Sequence, residues 1–185
     1  MLTVKQLSTD ELEAGLEEIS RSPKDDGVVE MIVRRPQVGE REILQEGELD
    51  PADGLVGDSW KRRSSKRTAD GTPHPDMQLN LMNSRVVALL SQDKSRWHLA
   101  GDQLFVDLDL SEANVPAGTK LAIGAALIEV TAQPHTGCAK FAERFGADAI
   151  KFVNSREHQN LHLRGINARV VRAGTLRVGD TITKL

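Results

Sequence analysis

Short segments in which apolar and polar residues alternate are the feature that most restricts the fold of this chain. The run over residues 104–110 carries leucine or valine at every second position and predicts a half-buried β-strand. Similar short runs, bounded by Gly, Pro, Asn or Asp, recur along the 185 residues and predict about seven or eight strands. Helical segments do not alternate regularly with these strands, so a doubly wound parallel sheet is disfavoured. The pattern predicts a mixed α/β, β-rich domain with a β-barrel-like or mixed sheet.

A few short helices accompany the strands. Ser8 and Glu11 have the spacing of a capping box and predict a helix over residues 8–20. Asn83 or Ser84 is expected to begin another helix. Two more helices are predicted over residues 138–145 and 147–154, and further strands over residues 28–33, 77–81, 121–123, 127–132, 166–171 and 176–182. We expect a single domain, in which a helix and strands from residues 1–49 pack on residues 50–185.

Composition excludes several classes of protein. The chain has 24 basic and 27 acidic residues, a formal net charge of −3 and no tyrosine, which gives no general electrostatic or stacking argument for nucleic acid. No apolar run has the length of a membrane span, and residues 1–6 lack the hydrophobic region of a signal peptide. A single cysteine suits a reducing compartment. We therefore expect a cytoplasmic protein that binds neither membrane nor nucleic acid.

Cys138 is the only cysteine, so its sulfur cannot form a disulfide within the chain. A strand-like segment ends at Pro134, Gly137 permits a sharp turn, and a helical pattern with Phe141 and Phe145 four residues apart begins at once. The thiol is therefore predicted near a helix N-terminus, where backbone N–H groups and nearby cations favour the thiolate. A small buried hydrophobe is the alternative interpretation.

A set of ordered motifs around Cys138 resembles the MOSC domain family, the domains found at the C-terminus of molybdenum cofactor sulfurases. The motifs share small turn residues and short apolar strands, and they lie at residues 54–58, 121–131, 138–141, 164–170 and 174–180. The resemblance implies a compact β-barrel-like domain. It also implies that Cys138, which matches the characteristic cysteine of the family, carries sulfur or ligates molybdenum.

The resemblance also bears on activity. Family members with reductase chemistry hold a molybdenum–pterin cofactor between the MOSC domain and a further N-terminal β-rich domain, for which the roughly 50 residues before Gly54 are too few. We therefore expect a reductase component or a sulfurtransferase-like sulfur carrier, with a sulfur donor or a molybdoenzyme as partner. A non-catalytic module that binds an anion or a partner protein through the same fold is the alternative. A thiol-based sensor, which would need an intermolecular disulfide, is a third hypothesis.

Several neighbours of the cysteine are candidates for binding an anionic cofactor. The turn residues Thr136 and Gly137 offer hydrogen-bond donors, while Lys140 and Arg144 offer positive charge for a phosphate or oxo group. His135 is a candidate to hydrogen-bond the sulfur or a ligand oxygen, and a solvated turn histidine is the alternative.

Two further regions contain candidate residues for binding a cofactor or a partner. Arg164 and Asn167 flank Gly165 and offer donors to a pterin edge or a phosphate, unless they mark a strand start with an exposed arginine. The run over residues 61–67 contains five cations and is either a clamp for a phosphorylated cofactor or partner, or a solvated loop. His158 and His162 are four residues apart without the glutamate of a zincin motif, and we expect no zinc site or iron–sulfur cluster.

Overall fold

Eleven β-strands and five short α-helices make up the computed structural model, which describes residues 4–185. The strands are, in chain order, β1 (Gly27–Arg34), β2 (Glu42–Leu44), β3 (Glu46–Asp50), β4 (Gly54–Leu55), β5 (Leu79–Asn83), β6 (Leu104–Asp107), β7 (Lys120–Ile123), β8 (Ala126–Val130), β9 (Ile166–Arg172), β10 (Gly174–Arg177) and β11 (Thr181–Lys184). The α-helices are α1 (Thr9–Ala14), α2 (Leu16–Ser20), α3 (Ser84–Ser91), α4 (Ala139–Phe145) and α5 (Ala147–Val153). Short 3₁₀-helices lie at Trp60–Arg62, Pro75–Met77, Lys94–Ala100 and Gln159–Leu161. The first half of the segment over residues 1–6, in which no signal peptide is expected, lies outside the described residues.

Seven strands close into a barrel in the order β11–β7–β8–β9–β5–β6–β1, because β1 pairs with both β6 and β11. Neighbouring strands of the barrel are antiparallel except β5 and β6, which are parallel. β2 pairs with the C-terminal end of β1. A separate three-stranded sheet consists of β3, β4 and β10. The predicted β-rich, barrel-like domain with a few short helices is therefore confirmed.

Two apolar cores stabilise this arrangement. One fills the barrel, where Leu81, Leu104 and Ile128 are fully buried. The other lies between the outer face of the barrel and the α-helices, and it contains Phe141 and Phe145 of α4. Full burial of one such side chain contributes about 1.5–3 kcal/mol, so the outer core fixes α4, and with it the start of that helix, against the barrel wall.

β6 differs from the strand that the alternation predicts. It ends at Asp107, and Leu108 and Leu110 are buried in the loop that follows. Phe105, which the alternation places on the polar face, is fully buried in the outer core. The prediction of a half-buried strand was wrong at Phe105, because helices cover the outer face of the barrel there.

Two other predicted elements are divided in the structure. The capping box of Ser8 and Glu11 is present, but the helix predicted over residues 8–20 is two helices that meet at Gly15. The strand predicted over residues 176–182 is split between β10 and β11. The split occurs because Oδ2 of Asp180 accepts a hydrogen bond from the backbone N–H of Arg177 at 2.7 Å and closes a turn.

Asn83 caps α3 as expected, since its side chain accepts from the N–H of Arg85. The strand predicted over residues 77–81 begins two residues later, because Met77 ends a 3₁₀-helix. β1 lies inside the predicted N-terminal segment 1–49 and is itself a barrel strand between β6 and β11. That segment therefore contributes to the barrel wall.

Candidate functional site

Cys138 lies where the loop over residues 131–137 enters α4. Asn167 of β9 holds this loop, because its Nδ2 atom donates to the carbonyl oxygens of Gln133 and Pro134 at 3.0 and 3.3 Å. Cys138 is the N-cap residue of α4, with an extended backbone and an exposed side chain. The predicted position of the thiol at the start of a helix is confirmed, and the alternative of a buried core cysteine is wrong.

Gly137 is held by the side chain of Asn154 at the end of α5. Its N–H donates to Oδ1 of Asn154 at 2.8 Å, and Nδ2 of Asn154 donates to the carbonyl oxygen of Gly137 at 3.1 Å. We expected this N–H to be a donor to an anion, and the structure corrects that expectation because the group is already used. Gly137 instead shapes the turn before the cysteine.

His135 and Arg164 meet at the buried carboxylate of Asp102. Nε2 of His135 lies 2.8 Å from Oδ1, and Nη1 of Arg164 donates to Oδ2 at 2.6 Å. Nη2 of Arg164 also donates to the carbonyl oxygen of Ala100 at 2.9 Å, and the guanidinium lies 4.8 Å above the ring centre of Phe141. The alternatives of a solvated turn histidine and an exposed arginine are both wrong, because Asp102 draws the two side chains inward.

The surroundings of His135 and Asp102 fix their charges. Burial lowers the pKa of His135, and Arg164 lowers this pKa further against the opposing effect of Asp102. Burial raises the pKa of Asp102, but Arg164 and His135 outweigh burial and leave the pKa below its usual value of 3.8. At neutral pH Asp102 is therefore ionised and His135 neutral. A neutral imidazole that donates from Nε2 keeps Nδ1 as a hydrogen-bond acceptor.

A second buried ion pair joins Arg35 and Asp58. Nε and Nη2 of Arg35 donate to the two carboxylate oxygens at 2.9 and 2.8 Å. Nη1 donates to Oδ1 of Asn80 at 3.1 Å and to the carbonyl oxygen of Gly101 at 2.9 Å. Asn80 in turn donates to Oδ1 of Asn167 at 2.6 Å. A continuous polar network therefore links this ion pair to the residue that holds the cysteine loop.

A cleft of about 780 Å³ lies beside Cys138; we call it the cysteine cleft. Of the predicted site residues, those that line it are His135, Thr136, Cys138, Lys140, Arg144 and Arg164. Gly137 and Asn167 lie outside the lining and support the loop. Ligand-binding clefts commonly measure about 300–1,000 Å³, so the cysteine cleft has room for a molecule of cofactor size.

The cysteine cleft is strongly basic. Its basic lining residues are Arg35, Arg41, Arg62, Arg63, Lys140, Arg144 and Arg164. Arg35 and Arg164 have the carboxylate partners described above, but the other five form no ion pair with the residues that the structure describes. Glu143 is the one acidic residue of the described lining. A local excess of positive charge therefore exists in a chain whose net charge is −3.

Two of the five unpaired cations are partly withdrawn from water. Burial, followed by the charge of Arg35, lowers the pKa of Arg63 to about 10. Burial, followed by the charges of Arg35 and Arg144, also lowers the pKa of Arg41. The Nε atom of Arg41 is buried and has no hydrogen-bond partner within residues 4–185. An anion in the cysteine cleft would offset this unfavourable charge.

The basic run over residues 61–67 is divided between two roles. Arg62 and Arg63 line the cysteine cleft. Lys61 instead pairs with Asp53 at 2.6 Å, and Nη1 of Arg67 donates to Oε1 of Gln133 at 3.3 Å. The part of the run that faces the cleft could not be distinguished by composition, because all five cations lie within seven residues.

Sequence reasoning missed several residues of the site. The missed residues are distant from Cys138 in sequence, and only the fold of the barrel places them near the cysteine. They are Arg35, Arg41, Asn80 and Asp102. No local motif surrounds Asp102, which follows a glycine in a polar segment. The hydrogen bonds between these residues could not be predicted, because they join parts of the chain that are distant in sequence.

Neither a metal-binding cluster nor a membrane helix is found within residues 4–185. No three His, Cys, Asp or Glu side chains in this part of the chain are grouped as ligands for a metal ion. None of its helices combines the length and apolar character that crossing a membrane requires.

Comparison with known proteins identifies the family. The MOSC domain model matches residues 74–183. The YuaD protein of Bacillus subtilis has a similar structure, with a TM-score of 0.59 and 17% identity over 84% of this chain and 93% of that chain. YiiM of Escherichia coli is also similar, with a TM-score of 0.52 and 21% identity over 85% and 69% of the two chains. Curated protein sequences gave no match. Because the family model covers more than half of the sequence and the fold agrees, this chain belongs to the MOSC domain family.

Proposed function

We propose that this protein binds or handles a molybdenum–pterin cofactor, or the sulfur of that cofactor, through Cys138. The observation that carries this proposal is that one exposed thiol and five unpaired cations line the same cleft. Thiolate sulfur is a soft, strongly donating metal ligand and also the nucleophile for sulfur transfer. Membership of a family named for cofactor sulfurases supports the same chemistry.

The residues of the cysteine cleft fit a molybdenum–pterin cofactor. Such a cofactor carries phosphate, and Arg41, whose buried Nε has no hydrogen-bond partner within residues 4–185, offers a guanidinium suited to phosphate oxygens. Lys140 and Arg144 add positive charge from α4, next to the cysteine. When bound, the cofactor would supply molybdenum redox chemistry, with Cys138 as the protein ligand.

Residues behind the cleft would orient the ligand. The neutral imidazole of His135, fixed through Nε2 by Asp102, presents an acceptor at Nδ1 for an N–H or O–H of the bound group. Thr136 lines the cleft and offers a hydroxyl. The ion pair of Arg164 with Asp102 keeps this wall rigid, since both partners are buried.

The sulfur-carrier form of the proposal has a simple atom balance. The Cys138 thiolate attacks the outer sulfur of a persulfide on a donor protein, the new S–S bond forms on Cys138, and the thiolate of the donor leaves. No external oxidant or reductant takes part. A sulfur donor or a molybdoenzyme is the partner that this step requires, and we propose a cytoplasmic location because a single exposed thiol suits a reducing compartment.

Metal analysis and intact mass spectrometry test the proposal. The protein is purified without oxygen, then incubated either with molybdenum–pterin cofactor or with a persulfide donor. We expect bound molybdenum, or the added mass of one sulfur atom, in the wild-type protein and in Lys66→Gln, an exposed loop variant outside the cleft. Cys138→Ser should retain neither. Absence of both adducts in the wild-type protein would refute the proposal.

A non-catalytic anion-binding module is the second candidate, and the same five cations favour it. In that case the cations bind the ligand and the thiol is dispensable. Cys138→Ser would then keep the wild-type affinity for the anionic cofactor, whereas the replacement of Arg41 by glutamine would weaken binding. Calorimetry with the two variants separates the candidates.

A further inference from the structure

A smaller pocket of about 150 Å³ adjoins the cysteine cleft, and we call it the Trp60 pocket. Its lining residues are Arg35, Trp60, Arg63, Ser64, Ser65, Pro73, His74, Met77 and Asn80. Arg35, Arg63, Ser64 and Asn80 also line the cysteine cleft. The two spaces therefore share one wall, and a molecule in the pocket lies next to any group bound in the cleft.

The Trp60 pocket combines an apolar wall with the volume of one ring. Trp60, Pro73 and Met77 supply flat or flexible apolar surface of the kind that aromatic groups bind. Nε1 of Trp60 donates to the carbonyl oxygen of His74 at 3.3 Å, which fixes the indole. In size alone, the pocket equals a closed apolar cavity of about 150 Å³ that accepts benzene. The pocket therefore suits a single aromatic ring.

Of the two arginines in the Trp60 pocket, only Arg63 has donors to spare. Arg35 uses all three of its side-chain nitrogens on Asp58, Asn80 and Gly101. Arg63 donates from Nε to Oγ of Ser59 at 2.9 Å, and its two Nη atoms make no hydrogen bond with residues 4–185 and are not buried. Two free, adjacent N–H donors match the two oxygens of a carboxylate.

We propose that the Trp60 pocket binds an aromatic carboxylate, with the ring between Trp60 and Met77 and the carboxylate on the Nη atoms of Arg63. Its place beside the cysteine cleft makes it the substrate pocket of the site. That assignment rests on the function proposed above, but the binding of an aryl acid does not.

Titration of the cofactor-free protein tests the proposal with benzoate as the probe. Benzoate binding is followed by calorimetry and by the fluorescence of Trp60, and the second tryptophan, Trp97, is buried in the outer core. Acetate has the charge without the ring, and benzyl alcohol has the ring without the charge. We expect benzoate to bind at least about tenfold more tightly than either, the worth of one charge-assisted contact or more. Equal affinities for benzoate and acetate would overturn the proposal.

Variants identify the groups that bind the probe. Arg63→Gln should weaken benzoate binding about tenfold or more and leave benzyl alcohol unaffected, while Arg63→Lys should restore part of the loss. Trp60→Leu should weaken both ring ligands, and Lys66→Gln should change neither. Thermal unfolding confirms that each variant is folded. Benzoate binding that survives in Arg63→Gln would overturn the assignment of the carboxylate.

Cys138→Ser keeps this test separate from the proposed function. It should bind benzoate with wild-type affinity, because Cys138 does not line the Trp60 pocket. Loss of molybdenum and sulfur binding by the wild-type protein, together with intact benzoate binding, would refute only the proposed function. The reverse result would refute only the aryl-acid pocket.

Discussion

Nε2 of His135 lies 2.8 Å from Oδ1 of Asp102, and this contact ties a residue of the cysteine cleft to a carboxylate that is fully buried. The charge of Arg164, 2.6 Å from the other carboxylate oxygen, keeps Asp102 ionised. The same arginine disfavours a second positive charge on His135. The geometry therefore holds a neutral imidazole in one orientation at the wall of the cleft.

The lowered pKa of His135 predicts that the protein loses stability as the pH falls below about 6.5. In the unfolded chain the imidazole has its ordinary pKa of 6.5, whereas the folded value is lower. Proton uptake between the two values therefore favours the unfolded state. One proton changes the free energy of unfolding by at most about 1.4 kcal/mol per pH unit.

Urea unfolding of the wild-type protein and of His135→Gln, from about pH 5 to 8, measures this dependence. The variant should lose the part of the slope that His135 contributes. Asp102 acts in a more acidic range, since its lowered pKa gives stability that is present above 3.8 and is lost only as the pH falls through the folded value. Identical slopes for the two proteins below pH 6.5 would contradict the prediction.

Removal of one partner from the buried Arg35–Asp58 pair should destabilise the fold strongly. The side chains of Arg35 and Asp58 are 5% and 0% exposed, so Asp58→Asn leaves a guanidinium charge without a counter-charge away from water. Such losses cost about 3–5 kcal/mol. The neighbouring pair of Arg34 and Glu42 is far more exposed, at 35% and 46%, and Glu42→Gln should cost less than about 1 kcal/mol. Urea unfolding of the two variants compares them, and equal losses would show that burial does not decide the outcome.

Replacement of Gly165 by alanine should lower the free energy of unfolding much more than replacement of Gly71. The φ of Gly165 is +115°, and a Cβ atom there would lie 2.1 Å from the carbonyl oxygen of Leu81 on the neighbouring strand. Gly71 also has a positive φ, of +75°, but apart from its chain neighbours no residue has an atom within 4 Å of the same position. Gly71→Ala should therefore cost only about 1–2 kcal/mol from the backbone. Gly165→Ala adds a backbone clash and should cost about 3 kcal/mol or more. Unfolding by urea tests both, and similar values would argue against the close strand contact.

Local patterns predicted most of the elements but not how they join. The capping box at Ser8, the Asn83 cap and the two helices after Cys138 depend on neighbouring residues, and they were predicted correctly from those residues. The closure of β1 onto β11 was not predictable, because pairing between residues so distant leaves no local signal. The burial of Phe105 was missed for the same reason, since the helices that cover it come from other parts of the chain.

The candidate site also combines residues that the sequence predicted with residues that only the fold brings together. Cys138, His135, Lys140 and Arg144 are close in sequence to one turn, and all of them line the cysteine cleft. Asp102 reaches the site only because the segment before β6 lies beside the cysteine loop in the barrel. Sequence motifs therefore predict the cysteine loop and Arg164, and long-range packing completes the site with Asp102, the group that fixes the charge of His135.

The excess of cations around Cys138 predicts that the thiol prefers anionic reagents. Iodoacetate and iodoacetamide alkylate a thiolate by the same displacement, so the ratio of their rates reports the local potential and not the fraction of thiolate. A basic cleft concentrates anions and raises their encounter rate by about tenfold or more at low salt. The ratio should therefore exceed that of a free cysteine peptide by about this factor and should fall as salt screens the charges. Lys140→Gln and Arg41→Gln should each reduce it, whereas Lys66→Gln, outside the cleft, should not. A ratio equal to that of the peptide at low salt would mean that the five cations do not act on the sulfur, and the anionic-ligand interpretation of the cleft would fail with it.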